Sequence, residues 1–201
     1  MLHLDVEMKV DGYKDIMYAM RKILSEKKIR AAIADAANRA AQGIGTDAKR
    51  MIRDRWGLKP AYVMERFKVN KATAGQTHIE ATAIFHGKPI PLIDLAPTPS
   101  SVTSKRPKSG IKVKGLSNAK FQHAFIARME SGHIGVFQKI TPGKKRPRLP
   151  IGEMFSLSLP QMIYDKKGGG EIRETLRKNS GERLETRFLQ QIERMRQERG
   201  E

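Results

Sequence analysis

Hydrophobic and polar positions change period several times along the chain, and each change marks an element. In residues 1–10, Leu2, Leu4, Val6 and Met8 alternate with His3, Asp5, Glu7 and Lys9, a period-two strand pattern that ends at the Asp11-Gly12 turn. Over residues 13–55 the period lengthens to that of a helix, in two pieces. Ile16, Met20, Ile23 and Leu24 mark the first, and Ser25 offers a restart. Ile33, Ala37, Ala41, Ile44, Ala48 and Ile52 recur every three or four residues along the second. This stripe is rich in alanine, so a neighbouring backbone can approach closely. Gly43 and Gly45 interrupt it, each weakening a helix by roughly 1 kcal/mol relative to Ala. Trp56-Gly57 ends the helix, and Pro60 opens a short one bearing Tyr62, Val63, Arg66 and Phe67.

Strand patterns then dominate. Residues 69–85 alternate after a turn at Ala74-Gly75-Gln76, residues 91–95 read as a short edge strand because of Pro91, and Ile111 and Val113 alternate with Lys112 and Lys114. Between them, residues 96–109 have a loop composition. Residues 123–129 and 133–140 form a hairpin across Glu130-Ser131-Gly132, followed by a basic loop and an apolar return at Leu149-Pro150-Ile151. Residues 156–164 predict a short helix, and Gly168-Gly169-Gly170 a hinge. In the last helix Ile172, Leu176, Leu184, Phe188, Ile192 and Met195 keep one register across a possible kink at Ser180-Gly181. The predicted fold class is α+β, with a long N-terminal helix packed on a mostly antiparallel β-sheet and a C-terminal helical extension. Its parts are an N-terminal arm and short helix (1–24), an α+β core (25–165) and the C-terminal helix (166–201), with no linker between two folded domains. The last helix is expected to reach outward. Ile172, Leu176, Phe188 and Ile192 are its candidate assembly contacts, and deletion from Gly168 onward should leave the core folded.

Charge sharpens the picture. Lys and Arg number 39 against 21 Asp and Glu, a net charge of +18, which points to a polyanion or an acidic partner. Residues 102–150 hold 12 of these cations and one acid, Glu130, whereas residues 171–201 hold eight basic and seven acidic residues. The excess is therefore a localised surface and not general solvation. Lys105, Arg106, Lys108, Lys112, Lys114, Lys144, Lys145, Arg146 and Arg148 are the candidate contacts to a partner or to DNA. Contact with phosphates would be sequence-independent, since aromatic residues are few and Phe121, Phe125 and Phe137 read as core.

Catalytic chemistry finds no support in the sequence. The absence of cysteine removes disulfides, thiolate metal sites and thiol nucleophiles. His123, Glu130 and His133 fit no ligand spacing, His78 and His86 lie on one strand face with His86-Gly87 capping the strand, and no phosphate loop or Gly-x-Ser-x-Gly occurs. No catalytic, cofactor or metal site is expected. Charges interrupt every apolar run, so a soluble protein made in a cytoplasm is expected.

Several segments taken together resemble the minor tail protein Z family of long-tailed bacteriophages. They are Arg55-Trp-Gly-Leu-Lys59, Pro89-Ile-Pro-Leu92, Ala124-Phe-Ile-Ala-Arg-Met-Glu-Ser-Gly-His133, Gly135-Val-Phe137, Arg148-Leu-Pro-Ile151 and Ser158-Leu-Pro-Gln-Met162. The resemblance spans residues 25–200. It implies a non-enzymatic virion protein that completes the tail at its head-proximal end, in head–tail joining and positioning of the genome end. Partners would be tail and neck proteins such as the tail terminator and connector, with the genome DNA as a further one. The symmetry of phage tails implies a homo-oligomeric ring, such as a hexamer, made in the host cytoplasm with no membrane contact. Gly132 and Gly135 would serve tight backbone geometry, and Phe125, Ile126 and Phe137 the core. The rival reading is a free-standing basic nucleic-acid-binding protein without sequence specificity; a nuclease would need a carboxylate or histidine metal cluster. For residues 144–148 protein docking is favoured over DNA, because Pro142, Gly143 and Pro147 stiffen the loop.

Overall fold

The structure, a computed structural model, describes residues 2–6, 25–102, 107–115, 120–140, 150–164 and 170–198. The alanine stripe becomes α1, Glu26–Trp56, 31 residues and thus roughly 46 Å long. It stops where expected: Gly57 takes φ +72° and its N–H donates to Arg53 O at 2.9 Å. Pro60 opens α2, Pro60–Glu65.

Strand β1 (Leu2–Val6), β2 (Phe67–Asn70) and β3 (Ala81–Phe85) form an antiparallel sheet in the order β1-β3-β2, with Phe85 opposite both Leu2 and Phe67. Four of the five residues of β3 are buried because it is central and covered by α1. The 71–80 connection is tied down by α1. Asn38 pairs with Ala72 as a strand would, accepting from its N–H at 2.7 Å and donating to its carbonyl at 3.0 Å. Arg30 donates to the carbonyls of Ala74 and Gln76.

Residues 91–95, expected as an edge strand, divide differently. Only Pro89–Pro91 is strand (β4), and Leu92–Leu95 turns into a 3-10 helix that buries Leu92 and Leu95. Next come β5 (Ile111–Lys112), paired with β6 (Lys120–Phe121), then β7 (Phe125–Arg128) and β8 (Ile134–Lys139). Strand β9 (Ile151–Glu153) pairs with β8 and continues through Met154 into β10 (Phe155–Ser158), which pairs with β4. Met154 is the joint: its N–H donates to Val136 O at 2.8 Å and its carbonyl accepts from Leu92 at 3.0 Å.

The expected helix at 156–164 therefore starts late, as α3, Leu159–Tyr164. Its start is a capping box. Ser158 Oγ accepts from Gln161 N–H, and Gln161 Oε1 accepts from Ser158 N–H at 2.9 Å. The last helix, α4 (Gly170–Gln197), is continuous through Ser180-Gly181 and does not reach outward. It lies antiparallel along α1, as three contacts show: Arg55 with Glu171, Asp47 with Arg183, Asp35 with Gln191. The alanine stripe is what permits this, Ala36, Ala40 and Ala41 being fully buried in a cluster with Leu184 and Phe188. A second cluster joins Ile44, Ile52 and Trp56 of α1 to Phe85, Ile126, Val136 and the start of α4.

Candidate assembly surface

The β7–β8 hairpin closes through a turn that needs one left-handed residue. Gly132 supplies it at φ +84°, with Met129 N–H donating to His133 O at 2.8 Å. Alternation then gives the sheet two unlike faces. Ile126 and Val136 point into the core, as do Ile134 and Met154. The pairs Phe125↔Phe137 and Ala127↔Gly135 lie on the opposite face. Of the two phenylalanines expected in the core beside Ile126, Phe137 is buried at 6% exposure, while Phe125 is only half-buried; neither joins the two main clusters.

Phe137 is the centre of this outer face. Its ring is 6.3 Å from that of Phe125 and meets His133 edge-on at 89°. His133 Nε2 lies 2.9 Å from Glu153 Oε1, across β8 and β9. Gly135 makes the arrangement possible: a Cβ there would sit 2.7 Å from the Glu153 carboxylate and 3.1 Å from the Phe137 ring. Beyond them Phe155 is 53% exposed. Lys139 is exposed on this face, whereas Arg128, opposite Ile134, is exposed at the edge of the other; among the described residues neither has an ion pair.

The basic candidates fall into two groups. Lys108, Lys112 and Lys114 are described and exposed; Lys112 lies on β5, and the aliphatic stem of Lys114 runs past Gly57 at the end of α1. Nearby, Gly115 at φ +82° leaves the room that Trp56 fills. Lys105 and Arg106 lie outside the described residues. So do Lys144, Lys145, Arg146 and Arg148, which connect β8 to β9. The ends of that connection are joined, Ile140 N–H donating to Pro150 O at 3.2 Å.

The apolar candidates are placed inward. Ile172, Leu176 and Phe188 are 2%, 0% and 6% exposed, packed within this chain, and Ile192 is half-buried against the same cluster as Phe188. A contact between subunits through these side chains would require α4 to leave α1. What the periodicity did not reveal is the polar lock between those helices. Asp47, 3% exposed, accepts from Arg183 Nη2 at 3.0 Å and Asn179 Nδ2 at 3.1 Å, while Arg183 Nη1 stands 2.9 Å from Oδ2 but off the hydrogen-bond line. Burial pushes the Asp47 pKa up, yet the hydrogen bonds from Arg183 and Asn179 and the charges of Arg183 and Arg50 outweigh it. The carboxyl is held below its ordinary value. Gly43 provides the passage for Arg183, since a Cβ there would lie 2.4 Å from Nη1. An acid on the apolar arc beside Ile44 and Ala48 was the signal available in the sequence.

Among the described residues no group of three or more His, Cys, Asp or Glu could hold a metal ion, and no helix is long and apolar enough to cross a membrane. Comparison with known families gives a match over residues 11–198 to the family described as prophage minor tail protein Z (GPZ). The chain belongs to the minor tail protein Z family. It is a phage tail structural protein, a virion component that meets other tail proteins. Comparisons with curated proteins and with solved structures found no match. Strand β1 precedes the matched stretch. The segments that carried the resemblance to minor tail protein Z have structural roles in this member: the helix stop at Trp56-Gly57, the Gly132 turn, the Gly135 gap and the Ser158–Gln161 capping box.

Proposed function

We propose that this protein completes the tail at its head-proximal end, as a ring that joins tail to neck and helps position the end of the genome. The observation carrying this reading is the family match from residue 11 to residue 198. Two features fit it. The outer sheet face offers exposed Phe155 and half-buried Phe125 for packing, and 12 of the chain's cations crowd into residues 102–150. Neither feature requires catalysis, so a purely structural role accounts for both.

Deleting the gene from its phage or prophage tests the proposal. Lysates should then contain filled heads and assembled tails that remain separate, with joining restored by the full-length protein in trans. Joined, infectious particles at the undeleted level would overturn it.

The basic stretch keeps a second reading in view, contact with the genome without base recognition, supported by the one acid among those 12 cations. Free-standing nucleic-acid binding is set aside in favour of a tail component because the family match covers nearly the whole chain.

A further inference from the structure

The last helix carries a charge pattern unlike the rest of the chain. Nearly all of the +18 lies before residue 171, since residues 171–201 hold eight basic and seven acidic residues. On the solvent side of α4, Glu185, Leu189 and Glu193 follow at four-residue steps and so form one row on the helix surface. Leu189 is 55% exposed, both flanking glutamates are exposed, and among the described residues neither glutamate has an ion pair. Of the positions three and four residues from either glutamate, only Arg196 is cationic. The opposite imbalance stands at the other end of the helix pair. Lys112 and Lys114, alternating with buried Ile111 and Val113, are exposed and likewise without an ion pair among the described residues. The Lys114 stem runs past Gly57 at the end of α1, so an apolar strip accompanies its charge. Glu171 meets Arg55 at that end, and Leu189 lies roughly 27 Å further along α4. The acidic row and these lysines are therefore too far apart to meet within one chain.

Resting on the reading of the protein as a ring in the tail, we propose that the Glu185–Leu189–Glu193 row docks on the Lys112–Lys114 surface of a second copy, head to tail. The carboxylates would meet the lysine ammonium groups, and Leu189 would lie along the aliphatic stem of Lys114. Charge decides between occupants. DNA is repelled by the two carboxylates. Antiparallel pairing of two α4 helices about a twofold axis at Leu189 would set Glu185 against the copy's Glu193, like charge on like. A different protein would have to bring unpaired cations of its own, whereas every neighbouring copy already presents them. The row and the lysines are unlike patches at opposite ends of the helix pair, so each copy can hold one neighbour by each. Contacts of that kind close into a ring where the rotation between copies permits.

The chain has no cysteine, so thiols can be placed in the full-length protein without background. Leu189→Cys, Lys112→Cys and the double variant are incorporated into particles and treated with a short bismaleimide. The double variant should give a ladder of covalent multimers of this chain, and neither single variant should give any. In parallel, Glu185→Lys with Glu193→Lys should lower incorporation into particles about tenfold or more with an unchanged melting temperature. Adding Lys112→Glu and Lys114→Glu to the same chain should restore it. Dimers from Leu189→Cys alone would show a symmetric helix contact and overturn the inference. So would the absence of multimers in particles that contain the double variant, or a charge reversal that causes no loss or that the compensating pair does not rescue. Each of these results would leave the tail reading standing. Absence of the wild-type protein from particles would overturn the tail reading as well.

Discussion

Arg183 on α4 reaches across Gly43 to close on Asp47 of α1, with Nη2 3.0 Å from Oδ1. This is the one carboxylate buried to 3% among the described residues, and it fastens the two longest helices together at mid-length. Asp47→Asn should remove the charge and leave Arg183 without its counter-ion. Breaking a fully buried pair costs about 3–5 kcal/mol. Arg183 is 38% exposed and partly solvated, so about 1–3 kcal/mol is expected here. Urea unfolding checks it; an unchanged midpoint would mean the pair contributes nothing net.

The same pair sets a pH dependence. Because the folded state holds the Asp47 pKa below its ordinary 3.8, the stability it contributes is fully present above that value. It is lost as pH falls through the folded pKa. The difference in unfolding midpoint between wild type and Asp47→Asn should therefore be constant from pH 7 to pH 5 and shrink below pH 4. A gap that widens on acidification would contradict the assignment.

Glycines in the two long helices should respond in opposite directions. Gly45 faces the Phe67 ring, which an added Cβ would meet at 2.4 Å, whereas Gly181 has nothing within 4 Å. Gly181→Ala should stabilise by about 0.5–1 kcal/mol through helix propensity. Gly45→Ala should destabilise despite the same propensity gain, and Ala41→Leu, at a fully buried position, should cost about 1–3 kcal/mol. Thermal melts of the three variants suffice. Stabilisation by Gly45→Ala would show that β2 is not held against α1.

Truncation before α4 is now expected to unfold the protein, contrary to what the sequence pattern implied. Ile172 and Leu176 complete the sheet core, and Leu184 and Phe188 cover the alanine stripe. A protein ending at residue 169 should lose cooperative unfolding and expose apolar surface to a hydrophobic dye. A sharp transition in that fragment would restore the picture of a detachable helix.

These outcomes show what the chain's pattern could and could not disclose. The 31-residue helix, its stop at Gly57 and the hairpin turn at Gly132 were legible because each depends on local periodicity or one backbone conformation. The partner of α1 was not, because an amphipathic stripe on α4 states that something is covered without saying whether the cover is intramolecular. Gly43 and Gly45 read as weak points; they are close-approach sites, a fact visible only once Arg183 and Phe67 are in place. Strand β9 was missed as a strand, since Ile151–Glu153 is three residues long and gains its meaning from pairing with β8. Phe137 is buried, as its strand pattern implied, whereas Phe125 is only half-buried, because alternation tells which face a residue is on and not how deeply that face is covered.

The basic connection between β8 and β9 separates protein docking from DNA contact. Changing Lys144, Lys145 and Arg146 to Gln should leave duplex binding nearly unaltered and block attachment to tails. Were these side chains on phosphates, the log–log salt dependence would flatten by roughly 2–3 units, at about −0.9 per phosphate neutralised. Salt titrations of wild type and the triple variant decide, and such a flattening would overturn the docking choice.

The central claim, a structural protein of the tail's head-proximal end, is tested most directly by locating the protein in purified virions. Quantitative mass spectrometry combined with gold labelling of the C-terminus should find it in particles at a fixed copy number per tail, with label at the junction with the head. Particles that lack the protein while the infected cells contain it, or label along the whole tube or at its distal tip, would contradict the account.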